Sequence, residues 1–141
     1  MNIQTFIPFI ARAFIVIIFI RSGFSKLMDF SGIQETIADQ GLPFAAFLTV
    51  LAIIFELVGA AFVISGFKAR IGALLLLLFL IPTTVIFHNL IADPDETTQF
   101  LKNLAIIGGL LMVMVYGPGP LSLESSNPGK LSLSEQNPDS P

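Results

Sequence analysis

The chain has 141 residues, of which 54% are hydrophobic and only 12% are charged. Its mean hydropathy of +0.85 lies far from that of a soluble domain of this length, so the composition predicts an integral membrane protein. The net charge of −3 comes with no basic cluster, which argues against nucleic acid as a partner. Because the chain has no cysteine, it cannot carry out thiol redox chemistry, hold an iron–sulfur cluster or form disulfides.

The first apolar run is predicted to be a retained transmembrane helix over residues 6–26. Nothing basic precedes its apolar part and no convincing small-residue cleavage site follows it, which distinguishes it from a signal peptide. Arg21 and Lys26 lie near its end, where their side chains can reach the membrane interface. The polar stretch that follows, residues 29–40, is predicted to be a loop with an amphipathic turn.

The second and third transmembrane helices are predicted over residues 43–65 and 70–91. Pro43 suits the first turn of a helix, where its missing N–H would have had no partner anyway. A short turn at residues 66–70 separates the two helices and carries two basic side chains. Pro82 is expected to kink the third helix.

The fourth transmembrane helix is predicted over residues 99–116, after an acidic connection, and the Gly-Pro-Gly-Pro run at 117–120 ends it. Residues 121–141 are rich in Ser, Pro, Asn and Gly, which predicts a disordered tail. The fold class is therefore all-α, with a four-helix transmembrane domain over residues 1–120. The compact basic turn at 66–70 favours a cytoplasmic location for both termini.

Polar residues interrupt most of the predicted helices, and a charge at the centre of a membrane helix costs about 2.5–3.5 kcal/mol on insertion scales. A helix advances ~1.5 Å per residue, which puts Arg12 about 9 Å and Glu56 about 14 Å from the side that holds the termini. These two residues can therefore meet. A second polar layer is expected near the opposite side, formed by Lys26, His88, Asn89, Lys102 and Asn103.

The pattern leaves three interpretations of Arg12 and Glu56 open. They form a buried ion pair that joins two helices, or they contact another subunit, or they face a cavity. In a cavity, the guanidinium would donate hydrogen bonds to a carbonyl or oxyanion and the carboxylate would carry a proton. His88, near a helix end, is interpreted as an interfacial or hydrogen-bonded residue rather than a ligand. Glycines that permit close helix approach without specific chemistry are Gly59, Gly72, Gly108 and Gly109.

Four segments resemble a known family in their order and spacing: RAFIVIIFIRSGFSKL from Arg12, GLP from Gly41, ELVGAAFVISG from Glu56 and NLAIIGGLLMVMVYGPGPLSLE from Asn103. Over about residues 8–124 the chain resembles the DoxX family. The resemblance implies a four-helix inner membrane protein of bacterial type, linked by name to a quinone-reducing oxidoreductase. The positions that match polar or small residues of the family pattern are Arg12, Gly23, Lys26, Glu56, Gly59, His88 and Asn103.

The residues and the resemblance together favour a membrane component of an oxidoreductase system that binds quinone or another small lipophilic substrate. No intrinsic cofactor and no metal site are expected, because the chain has no cysteine, one histidine and no glycine-rich nucleotide-binding turn. A redox partner subunit would then supply electrons. The candidate residues for substrate binding or proton handling are Arg12, Lys26, Glu56, His88 and Asn103.

Two other functions stay open at this point. A noncatalytic accessory or assembly subunit would use buried charges to specify helix packing and its outer faces to dock a larger complex. A transporter or proton pathway is less favoured, because four helices without an internal repeat leave little room for alternating access unless the protein forms homo-oligomers. Membrane lipids are expected partners in every case.

Overall fold

The described part of the chain is a bundle of helices. A computed structural model describes residues 2–89 and 93–124, and the predicted tail lies outside these ranges from residue 125 onward. Within these two ranges, four helical segments are long and apolar enough to cross a membrane. The all-α, four-helix membrane fold is therefore confirmed. The helices of the described ranges are α1 (Ile3–Met28), α2 (Phe30–Asp39), α3 (Ala45–Ser65), α4 (Ala69–Phe87), a 3-10 helix (Pro94–Glu96) and α5 (Thr97–Tyr116).

The short helix α2 replaces most of the loop that was predicted over residues 29–40. Asp29 caps its N-terminus by accepting a hydrogen bond from the backbone N–H of Gly32 at 3.2 Å. Ile33 and Ile37 lie one turn apart on the inner face of α2, and Ile37 is buried. The loop prediction was wrong. The segment contains many polar residues, so the helix signal from its two isoleucines and its cap was weak.

Helices α3 and α4 approach closely enough that only glycine fits at their crossing. A methyl group on Gly72 would lie 2.8 Å from the carbonyl oxygen of Gly59, and one on Gly59 would lie 3.0 Å from the carbonyl oxygen of Gly72. At Gly109 a methyl group would meet Ile15 of α1 at 2.9 Å, whereas Gly108 faces open space. Close helix approach is therefore found at three of the four glycines named for it.

Neighbouring spanning helices run antiparallel, which defines two ends of the bundle. The α2 end holds the last turn of α1, the first turn of α3, the last turn of α4 and the first turn of α5. The turn end holds the α3–α4 connection and the residues that follow α5. The core between the four long helices is apolar: Val16, Phe19, Ala60, Val63, Ala69, Ala73, Leu76, Leu77, Leu80, Leu110 and Val113.

Candidate functional site

A cavity of about 630 Å³ lies inside the bundle towards the α2 end, and all five α-helices contribute to its wall. Its volume falls within the range of about 300–1,000 Å³ that small-molecule sites occupy. The wall is mainly aliphatic and aromatic, and Ile33, Thr36 and Ile37 of α2 close one side of it. Polar side chains that reach the wall are Ser22, Lys26, Thr36, Glu56, Thr83, His88, Lys102 and Asn103.

Lys26 and Glu56 form an ion pair on the wall of this cavity. The Lys26 Nζ lies 2.8 Å from Glu56 Oε2 and donates a hydrogen bond to Ser22 Oγ at 2.5 Å. The same ammonium lies 5.1 Å from the centroid of the Phe79 ring, within the range of a cation–π contact. The Glu56 side chain is only 1% exposed, whereas that of Lys26 is 15% exposed. A ligand in the cavity would therefore meet the ammonium before the carboxylate.

Arg12 lies outside this cavity, and the interpretation in which Arg12 and Glu56 form an ion pair was wrong, because Glu56 pairs with Lys26. The Arg12 Nη1 donates to the carbonyl oxygens of Val63 and Ile64 at 2.7 and 3.0 Å, and its Nη2 donates to that of Leu121. Arg12 is 1% exposed and reaches the turn end of α3. Its charge is therefore matched by backbone carbonyls at a helix C-terminus, where the helix dipole favours a cation.

Glu56 pairs with Lys26 and not with Arg12, because a lysine side chain reaches well beyond its own backbone position. Glu56 lies beside the last turns of α1, since Leu57 packs on Gly23. Lys26 follows Gly23 by three residues, and its flexible stem reaches back to the carboxylate. Arg12 lies 14 residues before Lys26, or ~21 Å along the helix. Residue positions along the helices had placed Lys26 in the polar layer at the opposite end from Glu56, so this ion pair was not predicted.

Asn103 joins α5 to α4 beside the cavity. Its Nδ2 donates to Thr84 Oγ1 at 3.0 Å, and the Thr84 hydroxyl donates to the carbonyl oxygen of Leu80 at 2.7 Å. Both Asn103 and Thr84 are buried. One N–H of the Asn103 amide is thereby used in helix packing, and its second N–H and its carbonyl oxygen remain as groups that can bind other partners.

His88 and Lys102 lie at the rim of the cavity, where both are partly or fully exposed. The His88 Nδ1 lies 2.7 Å from Glu96 Oε2, which links the end of α4 to the 3-10 helix. Lys102 donates to Gln99 Oε1 at 2.5 Å, one turn earlier on α5. These side chains line the entrance rather than the interior.

Ser22 and Phe79, which both contact the Lys26 ammonium, had not been predicted as site residues. Ser22 lies four residues before Lys26, which puts both on one face of α1, so the helical period carried a usable signal. Phe79 is one of 14 phenylalanines, and nothing in the sequence distinguished it. Within residues 2–89 and 93–124, no group of three His, Asp or Glu side chains converges to hold a metal ion.

Residues 121–124 form a strap across the turn end of the bundle, although they had been assigned to the tail. The N–H of Leu123 donates to the carbonyl oxygen of Ser65 at 3.0 Å. Glu124 Oε1 accepts from the N–H of Lys68 at 2.8 Å, just before α4 begins. The strap therefore satisfies backbone groups at the end of α3 and the start of α4, which the tail composition did not predict.

The fold defines a polytopic helical membrane protein with a cavity towards the α2 end of the bundle. The chain belongs to the DoxX family, whose model matches residues 7–89. The resemblance in sequence is thus confirmed.

Curated relatives include two inner membrane proteins of Escherichia coli K12. Inner membrane protein YqjF is 33% identical over 115 residues, covering 82% of this chain and 87% of that protein. Inner membrane protein YphA is 33% identical over 120 residues, covering 82% and 86%. A more partial similarity, 32% identity over 82 residues, relates 53% of this chain to 27% of the Surfeit locus protein 4 homolog of Schizosaccharomyces pombe. No solved structure matches the chain.

Proposed function

We propose that the protein binds a small lipophilic carbonyl compound of the quinone class in its internal cavity, as the membrane component of an oxidoreductase system. The observation that carries this proposal is the Lys26–Glu56 ion pair on the wall of a mainly apolar cavity of about 630 Å³. An ionisable pair inside a membrane helix bundle is costly, and such residues usually mark substrate or proton pathways. A few polar groups in a mainly apolar pocket are typical of small-molecule sites.

The chemistry of the wall suits a carbonyl oxygen. Lys26 is a donor only, and two of its neighbours, Ser22 and Glu56, hold its ammonium against the wall. The ammonium would hydrogen-bond the carbonyl of the ligand and favour negative charge that develops on the oxygen during reduction. Phe79, beside the ammonium, offers an aromatic face on which a planar ring could stack.

Reduction of a quinone to a hydroquinone takes two electrons and two protons, one for each carbonyl oxygen. Glu56, in contact with Lys26, is the group that could relay one proton to the oxygen bound there, and water at the exposed rim would supply the second proton to the other carbonyl oxygen. The electrons would come from a redox partner protein, because the chain has no cysteine and its described residues hold no cluster of metal ligands. The chain would supply the site and the partner the reducing equivalents.

The two curated bacterial relatives are named inner membrane proteins, which supports the same location for this chain. If both termini are cytoplasmic, as the basic turn favours, the α2 end lies on the periplasmic side. The cavity would then take its ligand from the periplasmic half of the bilayer.

The test is to purify the protein in native-lipid nanodiscs and to measure the quinone that it retains by mass spectrometry. Ala52→Phe adds a ring on the α3 face that lines the cavity, whereas Ala61→Phe adds the same ring on the exposed face of α3. We expect quinone with the native protein and with Ala61→Phe, but not with Ala52→Phe. The proposal fails if the native protein retains no quinone and also does not bind added decylubiquinone. Loss of assembly of a larger membrane complex on deletion, without any bound lipophile, would instead favour an accessory subunit.

A further inference from the structure

We infer that the cavity selects neutral lipophiles with an acceptor oxygen over lipophilic carboxylates, and that Glu56 sets this preference by cancelling the charge of Lys26. The inference rests on the proposed function, because it names the charge class of the ligand for the same cavity. In this inference Lys26 contacts the ligand, and Glu56 determines which charge class of ligand Lys26 accepts.

The accessibility of the two side chains separates their roles. Lys26 and Glu56 both reach the cavity wall, but Lys26 is 15% exposed and Glu56 only 1%. The ammonium has three N–H donors; it donates one hydrogen bond to Ser22, and Glu56 Oε2 lies 2.8 Å from its nitrogen as an ion-pair partner outside hydrogen-bonding geometry. Donor capacity is therefore left for an acceptor oxygen of a ligand, so Lys26 contacts the ligand and Glu56 acts through Lys26.

The charge on the wall then decides which ligand is favoured. With Glu56 at 2.8 Å, the ammonium is already neutralised by a buried carboxylate. A ligand carboxylate would lose its hydration and would also lie near the negative charge of Glu56, and like charges brought together away from water are strongly disfavoured. A ketone, ester or quinone oxygen accepts the free N–H without either cost.

The other charged groups on the lining lie at the rim and not on the interior wall. Lys102 is exposed and already donates to Gln99, and His88 is paired with Glu96. Water weakens the interactions of such exposed charges. A carboxylate could meet Lys102 from outside the cavity, so the test has to separate Lys102 from Glu56.

The test compares a neutral and an anionic ligand of the same chain length, methyl decanoate and decanoate. Binding of each radiolabelled compound to the protein in nanodiscs is measured at mildly alkaline pH, where a carboxylic acid is ionised, and binding to empty nanodiscs is subtracted. The variants are Glu56→Gln, which removes the charge, Glu56→Asp, which keeps it, and Lys102→Gln, which removes the cation at the rim.

We expect the native protein to bind the ester at least about tenfold more tightly than the acid. In Glu56→Gln the unpaired ammonium should raise the affinity for decanoate by about tenfold and abolish or reverse the preference. Glu56→Asp and Lys102→Gln should keep the native preference. If Glu56→Gln does not accumulate, Lys26→Met combined with Glu56→Leu serves in its place and should weaken ester binding without admitting the acid.

Each contrary result has a distinct meaning. Equal binding of ester and acid by the native protein would overturn the inference and leave the binding function standing. An unchanged preference in Glu56→Gln, or a preference that is lost in Lys102→Gln, would overturn the role of Glu56. Failure of the native protein to bind either lipophile or any quinone would overturn the proposed function and this inference together.

Discussion

The Nη1 atom of Arg12, on α1, lies 2.7 Å from the carbonyl oxygen of Val63, in the last turn of α3. The same guanidinium also reaches the carbonyls of Ile64 and of Leu121 in the strap. One buried side chain therefore joins the first helix, the end of the second spanning helix and the residues that follow the last one. Because a guanidinium presents several donors in a fixed plane, arginine suits this position better than lysine.

The remaining carbonyls in the last turn of α3 are satisfied by the backbone. The N–H of Gly66 donates to Phe62 at 3.0 Å, and the N–H of Leu123 donates to Ser65 at 3.0 Å. With the two carbonyls that Arg12 takes, all four carbonyls that a helix leaves unpaired at its C-terminus have partners. The turn end is thus a closed hydrogen-bonding unit at the opposite end from the cavity.

Replacement of Arg12 by Leu should destabilise the protein without altering ligand selectivity. The change leaves the carbonyls of Val63 and Ile64 without partners, and each buried unpaired group costs about 1–3 kcal/mol. Arg12→Lys should recover only part of the stability. The measurement is the midpoint of thermal unfolding in detergent, with methyl decanoate binding to the folded fraction as the second readout. If Arg12→Leu kept the native stability but lost methyl decanoate binding, Arg12 would have a role in ligand binding and not in stability.

Replacement of Gly72 by Ala should destabilise the α3–α4 crossing. The added methyl group would lie 2.8 Å from the Gly59 carbonyl oxygen and 2.6 Å from Phe62 Cβ, and overpacking of this kind typically costs about 1–3 kcal/mol. Gly108→Ala is the matched control, because its methyl group would enter open space in a similar helix interior. Chemical denaturation in mixed micelles should separate the two variants. Equal stability would mean that the two helices can move apart at little cost.

Much of the fold was predictable because its signals are local. An apolar run of helical length predicts a spanning segment, and the glycines and prolines between the runs marked where the connections lie. The close approach at Gly59 and Gly72 was also expected from residue type. Helix α2 was missed because its cap and two isoleucines form a weak signal in a polar stretch.

The site was less predictable, because its contacts join residues that are distant in the sequence. Residue positions along the helices correctly predicted that Lys26, Lys102 and Asn103 lie at the same end of the bundle. The same positions favoured Arg12 as the partner of Glu56, because they describe the backbone and do not include the reach of the Lys26 side chain. Residue positions also do not predict that carbonyl oxygens at the end of α3 accept the hydrogen bonds of the Arg12 guanidinium.

Asn103 and Thr84 should show a small favourable coupling between α4 and α5. Their hydrogen bond of 3.0 Å is buried, but bonds of this kind between membrane helices average only about 0.6 kcal/mol, with a maximum of about 1.7 kcal/mol. A double-mutant cycle with Asn103→Ala, Thr84→Val and the combined variant measures this coupling in reversible unfolding. Additive effects of the two substitutions would show that the bond contributes nothing to stability.

Replacement of Lys26 by Met should be more harmful than replacement of both members of the ion pair. The single change leaves Glu56, only 1% exposed, without its cation, and breaking a buried pair in this way costs about 3–5 kcal/mol. Lys26→Met combined with Glu56→Leu removes both charges, and apolar replacement of a buried pair is often neutral or stabilising. Thermal unfolding should therefore rank the double variant above the single one. The double variant should fold yet retain no quinone, since its cavity lacks the donor for the carbonyl oxygen. Quinone retention by a folded double variant would show that the ion pair serves packing alone.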